Sequence, residues 1–378
     1  MIYLDYSATT PTSEEVLESF NKTSTSFFAN PNSLHKLGTK ANELIEASTK
    51  QIAEILGVKT NEVIYTSGAS ESNNTAIKGV CLSLAYKNRG KHIITTQFEH
   101  SSIYGPISFL QKHFDYDVDF VETDEYGRVK LDSLDKLIRD DTILVTISSV
   151  NSEIGIRQPI EEIGKIVKKH PKCIFHVDMT QSIGKDFVSF ENVDLASFSA
   201  HKIYGIKGIG CLIKKENIEL EPLIHGGKST TIYRSGTPQL PLIVSLAKAL
   251  RLATNGLDKK IESIKKLNDY LQDGLKKFER VKINSNSYSI PQILNFSVVG
   301  VKPETLQHSL EEYDIYISTQ TACSSGGESK AVYALTNDHD RALSSVRVSL
   351  SHLTTKEEID KFLECFKLCY DKLTELWS

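Results

Sequence analysis

Ser199-Ala200-His201-Lys202-Ile203-Tyr204-Gly205 follows an apolar run, residues 193–198, that has the composition of a buried β-strand. The strand delivers one lysine into a polar turn, beside a serine and a histidine and ahead of a glycine-rich tail. Lysine becomes a covalent catalyst when its surroundings hold it against a carbonyl compound and lower its pKa. Upstream, Phe175-His176-Val177-Asp178-Met179-Thr180-Gln181 is a second apolar strand, and it ends in one carboxylate and one amide. Ligands of open α/β sheets bind beyond the carboxyl ends of the strands, so two strand ends on one sheet edge can bring Lys202 and Asp178 to one ligand. A Schiff-base lysine and a carboxylate for a pyridinium nitrogen are the pair that pyridoxal phosphate (PLP) requires.

The rest of the chain sets the frame for that pair. With 378 residues, 40% of them apolar, it can bury a large core and form more than one domain. A net charge of -4 offers no basic footprint for nucleic acid, so no direct nucleic-acid binding is expected. Met1-Ile2-Tyr3-Leu4-Asp5 lacks the charged and then apolar pattern of a signal peptide, and no window approaches the roughly 18 apolar residues of a membrane span. The expectation is a cytoplasmic protein. The six cysteines are scattered, with no Cys-x-x-Cys pair, and read as reduced thiols. Cys365 and Cys369 lie one helical turn apart, a spacing that suits a metal, but without partner ligands they read as core packing, and no metal is expected.

From about residue 40 to 215, helical and β-branched segments alternate as in a doubly wound sheet. Candidate strands are 62–66, 92–96, 117–121, 142–148, 173–178, 194–199 and 210–213, separated by amphipathic segments at 44–56, 102–113, 131–138 and 160–169. After Pro238 the pattern changes to long helices at 241–255 and 258–278. A smaller mixed region follows, with strands at 292–298, 315–317 and 346–350 and helices at 303–311 and 356–376. The division expected is a large domain over 13–255, with a small α+β domain made of 1–12 and 256–378.

Several motifs fall at the ends of these strands. Thr66-Ser67-Gly68-Ala69-Ser70-Glu71-Ser72-Asn73-Asn74 opens a helix with small residues and hydroxyls, which suits a phosphate; a plain serine cap is the other reading. Phe98-Glu99-His100-Ser101-Ser102 puts a histidine where it can stack on a ligand ring and move protons, or serve structure alone. In Val150-Asn151-Ser152-Glu153-Ile154-Gly155, Asn151 either binds ligand or stabilises a turn. The loop from His225-Gly226-Gly227 to Arg234-Ser235-Gly236-Thr237 is by itself only a weak phosphate signal. Ile317-Ser318-Thr319-Gln320-Thr321-Ala322-Cys323-Ser324-Ser325-Gly326-Gly327-Glu328 carries a lone cysteine in a small polar loop, where core packing does not explain it and a mobile nucleophile would. Ser344-Ser345-Val346-Arg347-Val348-Ser349-Leu350 embeds one arginine in an apolar strand, which demands an anionic partner: a ligand carboxylate or one from the protein.

Together with Tyr3-Leu4-Asp5-Tyr6-Ser7-Ala8-Thr9-Thr10, these motifs resemble, in order and nearly end to end, the cysteine desulfurases of the class V aminotransferase fold. The resemblance implies a PLP-dependent transferase of fold type I: an α/β homodimer whose large domain holds a mostly parallel seven-stranded sheet beside a smaller α+β domain. It implies that Lys202 forms the Schiff base and shuttles the substrate α-proton, and that His100 stacks on the ring and acts as acid or base. Asp178 is expected at the pyridinium nitrogen and Gln181 at the phenolic oxygen. Ala69, Ser70, Ser199 and His201 are expected at the phosphate, with Thr237 reaching it from the other subunit. Arg347 and Asn151 would hold the L-cysteine carboxylate, and Asn151 is expected at the cofactor as well. Cys323 would attack the substrate sulfur, leaving L-alanine and a persulfide for an iron-sulfur scaffold or tRNA-thiolation acceptor.

Departures from the family pattern are Ser70 for threonine, Ser152 for a second asparagine, Ile206 for proline, Thr319-Gln320-Thr321 for a serine-glycine-serine run, and Lys228-Ser229-Thr230-Thr231 where a glycine, a polar residue, glutamate and arginine are usual. Alternatives to a desulfurase are another PLP enzyme of the same fold, a transaminase or selenocysteine lyase, and a catalytically idle scaffold.

Overall fold

The computed structural model describes residues 1–86, 88–319 and 327–375. Its strands, in chain order, are β1 (Ile2–Tyr3), β2 (Val63–Thr66), β3 (His92–Thr95), β4 (Asp117–Phe120), β5 (Thr142–Ser148), β6 (Ile174–Asp178), β7 (Leu195–Ser199), β8 (Gly210–Lys214), β9 (Val281–Ile283), β10 (Ile293–Val298), β11 (Ile315–Tyr316) and β12 (Ser345–Ser349). The helices used below are α1 (Glu14–Ser26), α2 (Lys36–Leu56), α3 (Ala69–Leu82), α4 (Ser101–Phe114), α5 (Leu131–Leu137), α6 (Ile160–Val167), α7 (Leu240–Thr254), α8 (Leu257–Leu275), α9 (Pro303–Glu311), α10 (Lys330–Thr336), α11 (His339–Leu343) and α12 (Lys356–Glu375).

Seven strands make one sheet in the order β2-β8-β7-β6-β5-β3-β4. Neighbours from β7 across to β4 are parallel, and β8 alone runs against both of its neighbours. The central strands read as nearly continuous apolar runs because both faces are covered; all seven residues of β5 are buried, whereas edge strand β4 is exposed at both ends. Consecutive residues therefore enter different cores. Val63, Ile94, Val145, Phe175, Ala196 and Ile213 face the side of α2, α6 and α7. Ile64, Ile93, Leu144, Ile174, Leu195 and Leu212 face the side of α3 and α4. The period of two in side-chain direction builds this three-layer body.

A separate apolar cluster forms where β10, flanked by β9 and β12 in an antiparallel sheet, packs under α8, α9 and α12. Phe296, Phe362 and Phe366 fill it, and Cys365 and Cys369 are buried among them, as expected of small hydrophobes. The N-terminus belongs to this second core: β1 pairs in parallel with β11, and Leu4 is buried there. From Leu4 the chain crosses to the large sheet within a few residues. Among the described residues no helix is long and apolar enough to cross a membrane.

The sequence reading does not include β1, α1, β9, α10 or α11, and it places several element starts differently. Helix α1 is not among the expected elements, although Ser13 caps it by accepting from Val16 N, with Glu14 and Glu15 in its first turn. Helix α2 starts well before residue 44 because the His35 ring accepts from Gly38 N at 3.2 Å. Strand β7 begins one residue late because the Asp194 side chain accepts from Phe175 N and pairs with Lys168. Truncating the second core should show its weight: Phe296→Ala is expected to lower stability by roughly 3–5 kcal/mol in urea titrations.

Candidate active site

A cavity of about 620 Å³ opens where β5, β6 and β7 end beside the start of α3. The turn after β7 brings Lys202 to it. Ile203 N and Gly205 N both donate to Ala200 O, which closes one tight turn, and Thr10 N donates to His201 O, tying the N-terminal segment to it. Lys202 Nζ donates to Ser7 O at 2.6 Å and Ala8 O at 2.7 Å. Two backbone carbonyls thus hold the lysine head at the cavity wall.

Asp178 ends β6 in register with Ser197 of β7 and Ser148 of β5. One of its carboxylate oxygens accepts from Thr180 N, and the other accepts from Asn73 Nδ2 at 2.8 Å. Asn73 also donates to Ser102 Oγ at 2.9 Å, and Ser102 Oγ lies 2.8 Å from His100 Nδ1. Asp178 and His100 are therefore joined by two intervening polar side chains. His100 caps α4 by accepting from Ser102 N at Nδ1, so a neutral ring carries its proton on Nε2. Burial lowers its pKa, with Lys202 adding to the shift and Asp178 opposing it.

The start of α3 is built for an anion. Gly68 precedes it, and no side chain caps its first turn. Gly210 of β8 lies so close beneath that a Cβ there would sit 2.6 Å from Gly68 Cα, so only glycine permits this approach. Ala69, Ser70, Ser199 and His201 all line this end of the cavity. Ser72 does not serve it, since its hydroxyl is buried against Thr66 Oγ1 at 2.7 Å. Burial, then Lys202, Lys185 and Lys207, push the His201 pKa down to about 4. These donors fit the phosphate of PLP, and Asp178 fits its ring nitrogen.

Arg347, 2% exposed, reaches the cavity from β12. Its guanidinium donates to Asp5 Oδ1 at 2.7 Å and to Ser152 O at 2.8 Å, while Nε has no partner among the described residues. Both sequence readings thus meet here: the arginine lines the ligand cavity and already has a protein carboxylate. Asn151 is turned to structure. Its Oδ1 accepts from Glu153 N and Ile154 N, its Nδ2 donates to Phe98 O, and it is not among the lining residues. Thr237 is exposed and lines an adjoining depression, which shares Ser67 and Gly208 with the cavity, together with Arg234, whose guanidinium pairs with Glu71. Cys323 lies outside the described residues.

Comparison with known proteins places this geometry in a family. Residues 2–362 match the class V aminotransferases. The chain belongs to that family. Its enzymes work with PLP on a fold type I scaffold, the cofactor and architecture that the lysine and aspartate strands imply. A curated relative from Dictyoglomus turgidum, cysteine desulfurase IscS, is 38% identical over 98% of this chain and 95% of its own. A solved NifS-like protein superposes with a TM-score of 0.91 at 36% identity, covering 99% of both chains. SspA, solved in complex with cysteine, reaches a TM-score of 0.82 at 32% identity over 94% of this chain and all of its own.

Sequence reasoning assigned no role to Asn73, Ser102, Asp5, Lys185 or Lys207. Asn73 was detectable, since it stands one helical turn after Ala69 and shares a face with the cradle; Asp5 and Ser102 depend on long-range packing. The depressed His201 pKa yields a test. The unfolded chain takes up the histidine proton near 6.5 and the folded one only near 4, so stability is intact above pH 6.5 and is lost as pH falls toward 4. His201→Asn should flatten that acid-side decline in the Tm of the cofactor-free protein; His176, also pushed down to about 4 by burial, keeps part of the slope.

Proposed function

We propose that the chain is a PLP-dependent cysteine desulfurase that converts L-cysteine to L-alanine and leaves the sulfur as a persulfide on Cys323. The observation that carries this reading is the convergence of Lys202, Asp178, His100 and Arg347 on one cavity, in a chain that aligns over nearly its full length with a cysteine desulfurase. Cysteine bound to a relative of the same fold supports the substrate.

Bound PLP supplies an electron sink for the charge left when a proton leaves the substrate Cα. The protein does the rest. Ala69, Ser70, Ser199 and His201 hold the phosphate, Asp178 keeps the ring nitrogen protonated, and Gln181 donates to the phenolic oxygen. His100 covers the ring. Lys202 Nζ, released from the Ser7 and Ala8 carbonyls, takes the Cα proton and returns it. Arg347 grips the substrate carboxylate, while Asn151, spent on its own turn, shapes the backbone beside it. The Cys323 thiolate attacks the substrate sulfur: the Cβ–S bond breaks as a new S–S bond forms, and the product carbon is protonated to alanine.

In this reading the protein is a homodimer in which Thr237 serves the phosphate of the second copy, which suits its exposure and its absence from the lining of its own cavity. The persulfide passes to an acceptor protein, an iron-sulfur scaffold or a tRNA-thiolation enzyme; the chain works in the cytoplasm, and its net charge of -4 does not favour a grip on RNA itself. The deciding experiment is Cys323→Ala. Alanine and sulfide release from L-cysteine should fall at least about a hundredfold while PLP is retained; undiminished turnover would sink the desulfurase reading in favour of a transaminase-like one.

A further inference from the structure

Lys185 is 9% exposed and lies in the turn that follows Asp178 and Gln181. Buried lysines ordinarily have a carboxylate partner. Among the described residues Lys185 has none: its neighbour Asp186 is bound to Arg157, and the small cavity of about 20 Å³ beside it is lined by no acidic group. The charged and titratable groups around that cavity are Lys260, His352, Tyr6 and Tyr204. Burial, with Lys202 and Arg347 adding to it, pushes the Lys185 pKa well down. A bare amine or ammonium kept here at that cost points to a task.

Its contact shows which. Lys185 Nζ lies 2.6 Å from Gln181 Oε1; Gln181 Nε2 donates to Ser7 O at 3.0 Å; Ser7 O also accepts from Lys202 Nζ at 2.6 Å. The four groups form one hydrogen-bonded chain from Lys185 to the Schiff-base lysine. An amide has a donor end and an acceptor end, and Gln181 gives its acceptor end to Lys185 Nζ and its donor end to Ser7 O. Lys185 therefore holds Oε1 of Gln181 and leaves Nε2 to Ser7, at the wall of the main cavity that Gln181 and Ser7 both line. One Nε2 hydrogen is used on Ser7, and the second remains for the cofactor.

We propose that Lys185 is a positioning residue for the reaction: it fixes which end of the Gln181 amide meets the phenolic oxygen of the cofactor. The proposal rests on the PLP reading above. A donor at the phenolic oxygen competes with the neighbouring imine for its electrons, so losing that donor raises the pKa of the lysine–cofactor linkage.

The test titrates the visible absorbance of the PLP-loaded protein with pH. Lys185→Met should raise the apparent pKa of the band by about half a unit or more, a shift that a merely structural residue would not produce. It should also lower kcat about tenfold while KM for L-cysteine changes less than about twofold. Lys185→Gln, which restores an N–H donor without charge, should recover most of the shift; if Lys185→Met does not fold, Lys185→Ala takes its place with the same expectation. A titration curve for Lys185→Met or Lys185→Ala that superimposes on wild type overturns the proposal, as does a Lys185→Gln curve displaced as far as theirs. The failures are separable. A wild-type protein with no Schiff-base absorbance ends the cofactor reading and this proposal together, whereas a normal wild-type band left unmoved by the Lys185 substitutions ends this one alone.

Discussion

The position of the Lys202 ammonium between the carbonyls of Ser7 and Ala8 organises the rest of the site. A partly buried lysine head needs acceptors, and backbone carbonyls supply two of them here. Those carbonyls belong to the segment that leaves the second core after Leu4 and crosses to the large sheet. The crossing is pinned at both ends: Ser7 N donates to Ser349 Oγ in β12, and Thr10 bonds the His201 carbonyl with its backbone N–H and its hydroxyl. Packing of the C-terminal core thereby sets where the lysine of the large sheet can rest, and it brings Arg347 to the same cavity.

The site is arranged around anions. Lys202, Lys185, Arg347 and the His201 ring gather at one sheet edge, against the carboxylates of Asp178 and Asp5. A phosphate at the start of α3 and a substrate carboxylate at Arg347 would balance that charge from opposite ends of the cavity. Burial first and then the surrounding lysines depress the His201 pKa, and a phosphate would offset the part that the lysines contribute. Asp5 holds the Arg347 fork in place, and a substrate carboxylate bound at Arg347 would share that grip.

Much of this was legible in the sequence because strands buried on both faces are uninterrupted apolar runs, and because polar residues at their carboxyl ends have no core to enter. Lys202, Asp178, His100 and Ser199 were found on those grounds, and the structure brings them to one cavity. Asn73 and Ser102 escaped notice because asparagine and serine at a helix start have ordinary capping roles. Lys185 was hidden more deeply: followed by Asp186, it reads as half of a surface pair, and only packing reveals that Asp186 belongs to Arg157. Arg347 was recognised as needing an anion, but Asp5 as its partner bridges 342 positions of sequence, beyond any local pattern. Asn151 shows the reverse limit, since a residue placed correctly at a strand end spends its side chain on the turn.

The claim on which all of this depends is that Lys202, and no other lysine, carries the cofactor. Borohydride reduction of the PLP-loaded protein followed by peptide mass mapping tests it directly. The account predicts a phosphopyridoxyl group on the peptide that contains Lys202 and none on those containing Lys185 or Lys207; label on either of these, or no label on Lys202, would contradict it.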